Sequence, residues 1–179
     1  DRAEIKDLIS FLRLIVNPSD EISFNRIVNI PPRGIGAKTL IKMKSIQESS
    51  GMNFLECIEY CSDKNDVFSK KVASNLKDFK DSYRNLTLEI NNKHLPISEA
   101  IEKFLINIKY FEYLEDTDKK ENISEFLNLV AEYENDNKES SLNDFLNMLS
   151  ISSSIDNFNE DSGYVAMMTV HLAKGLEFP

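Results

Sequence analysis

From Arg2 to Val16, the residues Ile5, Leu8, Ile9, Leu12, Ile15 and Val16 recur at steps of three and four, the stripe of a helix with one face against a core. Asn17-Pro18 stops it. A short helix is predicted next, from about Ser19 to Val28, with Ser19 or Asp20 as the cap and Ile22, Ile27 and Val28 apolar. After a cluster of prolines and glycines, Leu40, Ile41, Met43 and Ile46 predict a third helix over Ala37 to Gln47, with Gly51 placed to end it. Asn53 and Glu56 have the spacing of a reciprocal cap and open a short helix through Tyr60. The series Val67, Val72, Leu76, Phe79, Tyr83, Leu86 and Ile90 predicts a long helix, and Pro96 closes that region. Further helices are predicted over Ser98 to Ile108, Asn122 to Tyr133 and Leu142 to Leu149, the last with Ser141 and Asp144 as its capping pair.

The pattern changes after Ser150. Ser152 to Ser154 and the polar stretch Asp156 to Gly163 read as a flexible connection, followed by a short apolar strand from Tyr164 to Val170 between Gly163 and Gly175. An unpaired strand edge is a liability, so its sheet is expected to lie outside this chain. The predicted fold is therefore mainly α, a multi-helix domain with one short β-strand near the C-terminus.

Composition narrows the function classes. The 179 residues are 41% hydrophobic and 28% charged, with 11 Phe and 6 Tyr, enough apolar material for a core. No apolar run nears the ~20 residues that span a bilayer, and Asp1-Arg2-Ala3-Glu4 lacks the layout of a signal peptide. A cytoplasmic protein with no membrane partner is expected. Cys57 and Cys61, four apart in an apparent helix, are expected as buried thiols. They share no ligand spacing with His94 or His171, so no metal site is expected.

The net charge of −9 hides an asymmetry. Between Ile22 and Gln47 there is no acid, while Arg26, Arg33, Lys38, Lys42 and Lys44 give +5 and leave −14 for the rest. Glu112 to Glu139 carries ten acids against three lysines and reads as solvated helix faces turned from any polyanion. The basic window contains the turn Ile30-Pro31-Pro32-Arg33-Gly34-Ile35-Gly36-Ala37-Lys38-Thr39 between two predicted helices. Its glycines permit positive φ and close approach, Ile35 can pin the turn to the core, and the next helix begins at once. The free N–H groups and positive dipole end of that helix make an anion site, with Arg33, Lys38 and Thr39 beside it. A nucleic-acid phosphate is the expected occupant; the alternative is a tight turn between packed helices. Helix, Gly-Ile-Gly turn and helix with a following Lys resembles the helix-hairpin-helix element, which holds a duplex by its backbone.

At the C-terminus, Thr169-Val170-His171-Leu172-Ala173-Lys174-Gly175-Leu176-Glu177-Phe178 resembles motif V of the UvrD/PcrA/Rep group of superfamily-one DNA helicases. The opening, Arg2, Glu4-Ile5-Lys6-Asp7 and Phe11-Leu12-Arg13-Leu14, is similar to the segment leaving the second motor domain, 2A, of those enzymes. Phe24, Arg26 to Asn29, Pro31 and Arg33 to Gly36 resemble the start of their 2B subdomain, and Glu121-Asn122 with Phe126-Leu127 a later part of it. The resemblance implies that residues 1–14 are the edge of domain 2A, 15–161 a helical 2B-type insertion, and 162–179 the return into 2A.

The same resemblance implies a parent that is an ATP-dependent 3′–5′ DNA helicase using ATP and Mg²⁺, with repair proteins as further partners. Gly34, Ile35 and Gly36 would face duplex phosphates, Thr169 and His171 single-stranded DNA, and Glu177 and Gly175 the nucleotide. The chain has no Gly-x-x-x-x-Gly-Lys-Ser/Thr phosphate loop, so it is expected to carry no catalytic residue and to bind no nucleotide by itself. The alternative function is a helical protein-interaction module without DNA contact. The two differ in salt response, since phosphate binding weakens steeply as salt rises, with a slope that falls when Arg33 or Lys38 becomes Glu.

Overall fold

The computed structural model describes residues 2–63, 68–92, 95–139 and 141–155. Among them the regular structure is entirely α-helical, in the order α1 (Ala3–Val16), α2 (Glu21–Ile27), α3 (Ala37–Ser50), α4 (Phe54–Asp63), α5 (Lys70–Asn92), α6 (Ile97–Asn107), α7 (Tyr110–Tyr113), α8 (Thr117–Asp136) and α9 (Leu142–Ile155). The expected strand, Tyr164 to Val170, lies outside the described residues. No described helix is long and apolar enough to cross a membrane. The chain divides into two compact units, Asp1–Asn147 and Met148–Pro179.

In the first unit, α1 is a central strut that packs on α2 and α8, while α5 packs on α4 and α6. Of the stripe expected on α1, Leu8 and Leu12 are buried, Ile5, Ile9 and Ile15 are half-buried and Val16 is exposed. Phe11 and Leu14 are the other buried apolar residues, so the face that meets the core is rotated from the expected one. Phe11 meets Phe104 of α6 edge-on at 5.1 Å and Tyr110 of α7 at 6.3 Å. Tyr83 of α5 donates its hydroxyl to the Phe11 carbonyl at 2.7 Å, which satisfies the one polar atom of a fully buried ring. A second aromatic pair, Phe24 on Phe54 at 4.4 Å, joins α2 to the start of α4, and a third group joins Phe145 of α9 to Phe126 and Tyr133 of α8.

A polar network ties α1 to α2 and α7. Asp7 is buried, accepting from Arg26 Nε at 2.7 Å and from the Tyr110 hydroxyl at 3.0 Å, while Arg26 also donates to the Ala3 carbonyl at 3.0 Å. Burial raises the Asp7 carboxyl above its ordinary value despite the opposing pull of Tyr110 and Arg26. Those bonds are what make a carboxylate tolerable at this depth.

Three further elements differ from the sequence pattern. The helix expected from Leu142 to Leu149 runs on to Ile155, so Ser152 to Ser154 are helical and not a flexible connection. Serine is only mildly unfavourable inside a helix, and three in succession do not end one that is already propagating. Asp156 to Gly163 lie outside the described residues. The helix expected from Asn122 begins at Thr117, because the Asp116 side chain accepts from Asp118 N and caps a first turn with no apolar residue to betray it. After α6, Lys109 takes φ 58 and turns the chain into the short α7, which the pattern does not show. Lysine there carries no left-handed signal, unlike glycine.

Candidate nucleic-acid interface

The corner between α2 and α3 is built by side chains that turn inward. Arg33, expected to reach a phosphate, instead sends Nη1 to the carbonyls of Ile30 at 2.7 Å, Ile27 at 3.2 Å and Val28 at 3.3 Å. Its guanidinium lies 4.7 Å from the centre of the Phe79 ring on α5. Burial lowers its pKa to about 10, so it remains a cation at neutral pH. Asn29 Oδ1 accepts from Arg33 N at 2.7 Å and from Ile35 N at 3.3 Å, and Asn75 Nδ2 of α5 donates to the Arg33 carbonyl. Ile35 is 2% exposed and pins the turn to the core, as expected.

The two glycines have different roles. Gly34 takes φ +71, the left-handed region, and a Cβ there would lie 4.0 Å from Asn75 Nδ2. Gly36 is ordinary extended backbone at φ −84, ψ 172; it is the N-cap of α3, and an added Cβ would meet nothing within 4 Å. Its carbonyl accepts from Thr39 N at 3.0 Å and Leu40 N at 3.1 Å. The N–H groups of Gly36, Ala37 and Lys38 have no acceptor among the described residues, and the first turn of α3 holds no acid. Gly36, Ala37 and Lys38 are all exposed and Thr39 is half-buried.

At α2, α4, α6, α8 and α9 side chains close this end, while α1 and α7 have no side-chain cap but carry an acid, Glu4 and Glu112, in the first turn. Asp20 caps α2, Asp116 caps α8, Asn53 and Glu56 cap α4 reciprocally, Ser141 and Asp144 cap α9, and Glu134 reaches from α8 to the Ile97 and Ser98 amides of α6. Against them, α3 has an uncovered partial positive charge of about half a unit.

Folding also redistributes the five cations of this window. Arg26 pairs with Asp7, Lys44 with Glu21, and Lys42 lies over the Phe68 ring at 5.4 Å. Arg33 is held inside. Lys38 is the one of the five that is exposed and without a partner among the described residues. Of the five cations of the window, Lys38, Lys42 and Lys44 remain exposed, and Lys38 is the one that stands in the first turn of α3 beside the open amides. Arg33 and Ile35 are brought into the frame of the corner, and Lys38 and Thr39 into the first turn that the frame presents.

Two residues of this corner escaped sequence reasoning. Asn29, two before Pro31, could have been suspected from the habit of asparagine to bond nearby backbone in turns. Asn75 is 42 residues from Arg33 and had no signal at all. Thr169, His171, Gly175 and Glu177 lie outside the described residues. Cys57 and Cys61 are buried thiols as expected, 3.8 Å apart with Cys57 bonded to the Met43 carbonyl. Hydrogen bonding to Cys57, with burial, pushes the Cys61 thiol far above its ordinary pKa. Among the described residues no group of three or more His, Cys, Asp and Glu is placed to hold a metal ion.

Residues 1–179 match the family described as UvrD-like helicase C-terminal domain. The whole chain also aligns with the ATP-dependent DNA helicase PcrA of Bacillus subtilis, 38% identical over 193 residues and covering 25% of that helicase. It is 36% identical over 190 residues to the PcrA of Staphylococcus epidermidis and 35% over 189 to that of Staphylococcus aureus, again over 25% of their length. The chain therefore spans about a quarter of the curated relatives it matches. By the match along its full length, the chain belongs to the UvrD-like helicase C-terminal domain family.

Proposed function

We propose that this chain is the 2B-type subdomain, with flanking pieces of motor domain 2A, of an ATP-dependent 3′–5′ DNA helicase, and that it holds duplex DNA by its backbone at the α3 corner. The observation that carries the reading is the open N-terminus of α3: three amides of exposed residues without an acceptor among the described residues, no acid in the first turn, and Lys38 beside them. A diester phosphate supplies the acceptor and the negative charge that this end lacks. Contacts of this kind fix position and carry no sequence information, which suits a part that must ride along any duplex. In this reading 1–14 and 162–179 belong to domain 2A and 15–161 to the 2B insertion. Thr169 and His171 serve the single strand, Glu177 and Gly175 the nucleotide, and repair proteins are further partners. ATP and Mg²⁺ are held by the parent, and no nucleotide chemistry is derived from the described residues.

The test is duplex binding followed by fluorescence anisotropy from about 50 to 200 mM NaCl. Affinity should fall with salt by about 0.9 log units per log unit of salt for each phosphate contacted, and Lys38→Glu should reduce that slope by about 1. A chain that shows no duplex affinity at the lowest salt, or a Lys38→Glu variant with an unchanged slope, overturns the reading. A second reading, a helical module that docks a protein, is favoured by Ile22 and Ile41, exposed to 84% and 70%. It predicts no salt-dependent duplex binding at all.

A further inference from the structure

Resting on the duplex-contact reading, we infer that Arg33 and Asn75 form a latch between the corner and α5 that sets phosphate affinity without touching the phosphate. The residues that face outward at the corner, Gly36 to Lys38, are anchored by none of their own side chains. Their placement comes from the residues just before them. Arg33 is held at three points: its N–H on Asn29, its carbonyl on Asn75, and its guanidinium Nη1 on three carbonyls at the end of α2.

Asn75 and Phe79 are one helical turn apart on α5 and share a face, so the same turn that receives the Arg33 carbonyl also carries the ring beneath its guanidinium. Asn75 Nδ2 would also lie 4.0 Å from a Cβ added to Gly34, which supplies the left-handed step into the open amides. The corner therefore rests on one turn of a long helix whose Leu76 and Phe79 are core residues. Amides that bind an anion do so best when their direction is fixed before the anion arrives. Arg33 is thus a positioning residue, and its charge is not the property that matters. A planar guanidinium reaches several carbonyls and a ring face at once, which a lysine ammonium cannot.

The experiment uses the chain labelled with ¹⁵N, as Arg33→Lys, Asn75→Ala and Lys38→Ala variants. Backbone order parameters of Gly34, Gly36 and Ala37 are measured without DNA, and duplex affinity is measured against NaCl. Asn75→Ala is chosen because alanine favours the helix, which offsets part of the stability lost with the bond. The latch predicts lower order at Gly36 and Ala37 in Arg33→Lys and Asn75→Ala. It also predicts duplex binding weakened about tenfold with the salt slope unchanged, whereas Lys38→Ala lowers the slope by about 1 and leaves order intact. Corner order and affinity that are unaltered in Asn75→Ala overturn the latch. So does an Arg33→Gln variant, made alongside because Arg33→Lys keeps the charge, whose slope falls by about 1, since that marks a direct phosphate contact. If the unaltered chain binds no duplex, the functional reading fails and the latch has no phosphate to set; if it binds and the variants keep both order and affinity, the latch alone fails.

Discussion

The N-termini of α3 and α4 belong to two helices that pack on each other, and they solve the same problem in opposite ways. At α4, Asn53 Oδ1 accepts from Glu56 N and Glu56 Oε2 accepts from Asn53 N, both at 2.9 Å, so the local sequence supplies its own acceptors. At α3 the cap is Gly36, which has no side chain, and the first turn is Ala37, Lys38 and Thr39. Every helix start has orphan amides and the positive end of a dipole. The difference is whether the chain fills that site or leaves it for something else. Glycine at an N-cap costs only a few tenths of a kcal/mol relative to serine or aspartate. An open end is thus compatible with a stable fold.

The strongest way to break this comparison is to make α3 resemble α2 and α8. Gly36→Asp fits the backbone, since φ −84 and ψ 172 are open to any residue and nothing lies within 4 Å of the new Cβ. A fixed carboxylate then occupies the place of the anion and repels phosphate from the corner. Duplex affinity near 50 mM NaCl is expected to fall at least about tenfold, which is about 1.4 kcal/mol. Thermal stability should hold or rise by about 0.5 kcal/mol, because aspartate both caps and complements the dipole. Anisotropy and thermal unfolding on the same samples read both signs. An aspartate variant that binds duplex as the unaltered chain does places the interface elsewhere.

Much of this contrast was legible in the chain. Asn53 with Glu56, Ser141 with Asp144, Asp20 and Gly51 were readable because a cap is a local pairing of a side chain with backbone a few residues away. The buried face of α1 followed from spacing only in part: Leu8 and Leu12 of the expected stripe are buried and Val16 is exposed, while Phe11 and Leu14, outside that stripe, complete the buried face. Long-range partners were not readable. The cations near the turn were visible, but Asp7, Glu21 and Phe79 lie outside the window and neutralise or enclose three of the five. Arg33 therefore changed from a surface contact to an interior tether. Gly34 and Gly36 looked alike in sequence, and only backbone geometry separates the one that needs a left-handed φ from the one that does not.

A smaller effect sharpens the comparison from the closed side. Asn53→Ala removes the acceptor for Glu56 N and should cost about 1 kcal/mol of stability, read as a lower midpoint in urea. Duplex affinity at the α3 corner should stay the same, because the variant keeps Glu56 in the first turn of α4, and that carboxylate repels an anion there. A loss of binding out of proportion to the loss of stability would tie the two helix starts together, and the division drawn between them would have to be redrawn.

The smallest expected effect concerns pH, and it separates caps that carry a proton-binding group from one that carries none. At α2, burial pushes the Asp20 carboxyl up, but bonds from the Ser23 amide and hydroxyl outweigh it and hold the carboxyl below its ordinary value. At α9, the Ser141 amide and hydroxyl hold the Asp144 carboxyl low in the same way. A carboxyl lowered by folding contributes stability that is complete above its unfolded pKa of ~3.9 and is lost as pH falls through the folded value. Asp7 acts with the opposite sign, since burial raises its carboxyl and its share of stability falls as pH rises through the raised value. The two signs are separated by Asp20→Asn with Asp144→Asn, which retain a side-chain acceptor and remove the titrating groups. Urea midpoints at pH 5 and pH 3 should drop more in the unaltered chain than in the double variant, the Asp7 contribution being common to both. Helix α3, capped by glycine, has no carboxylate to lose at its N-terminus, so introducing Gly36→Asp should add a new increment to that acid-sensitive loss. Equal drops in all three chains would mean that the carboxylate caps gain nothing from their charge, and the contrast between open and closed helix ends would reduce to hydrogen bonding alone.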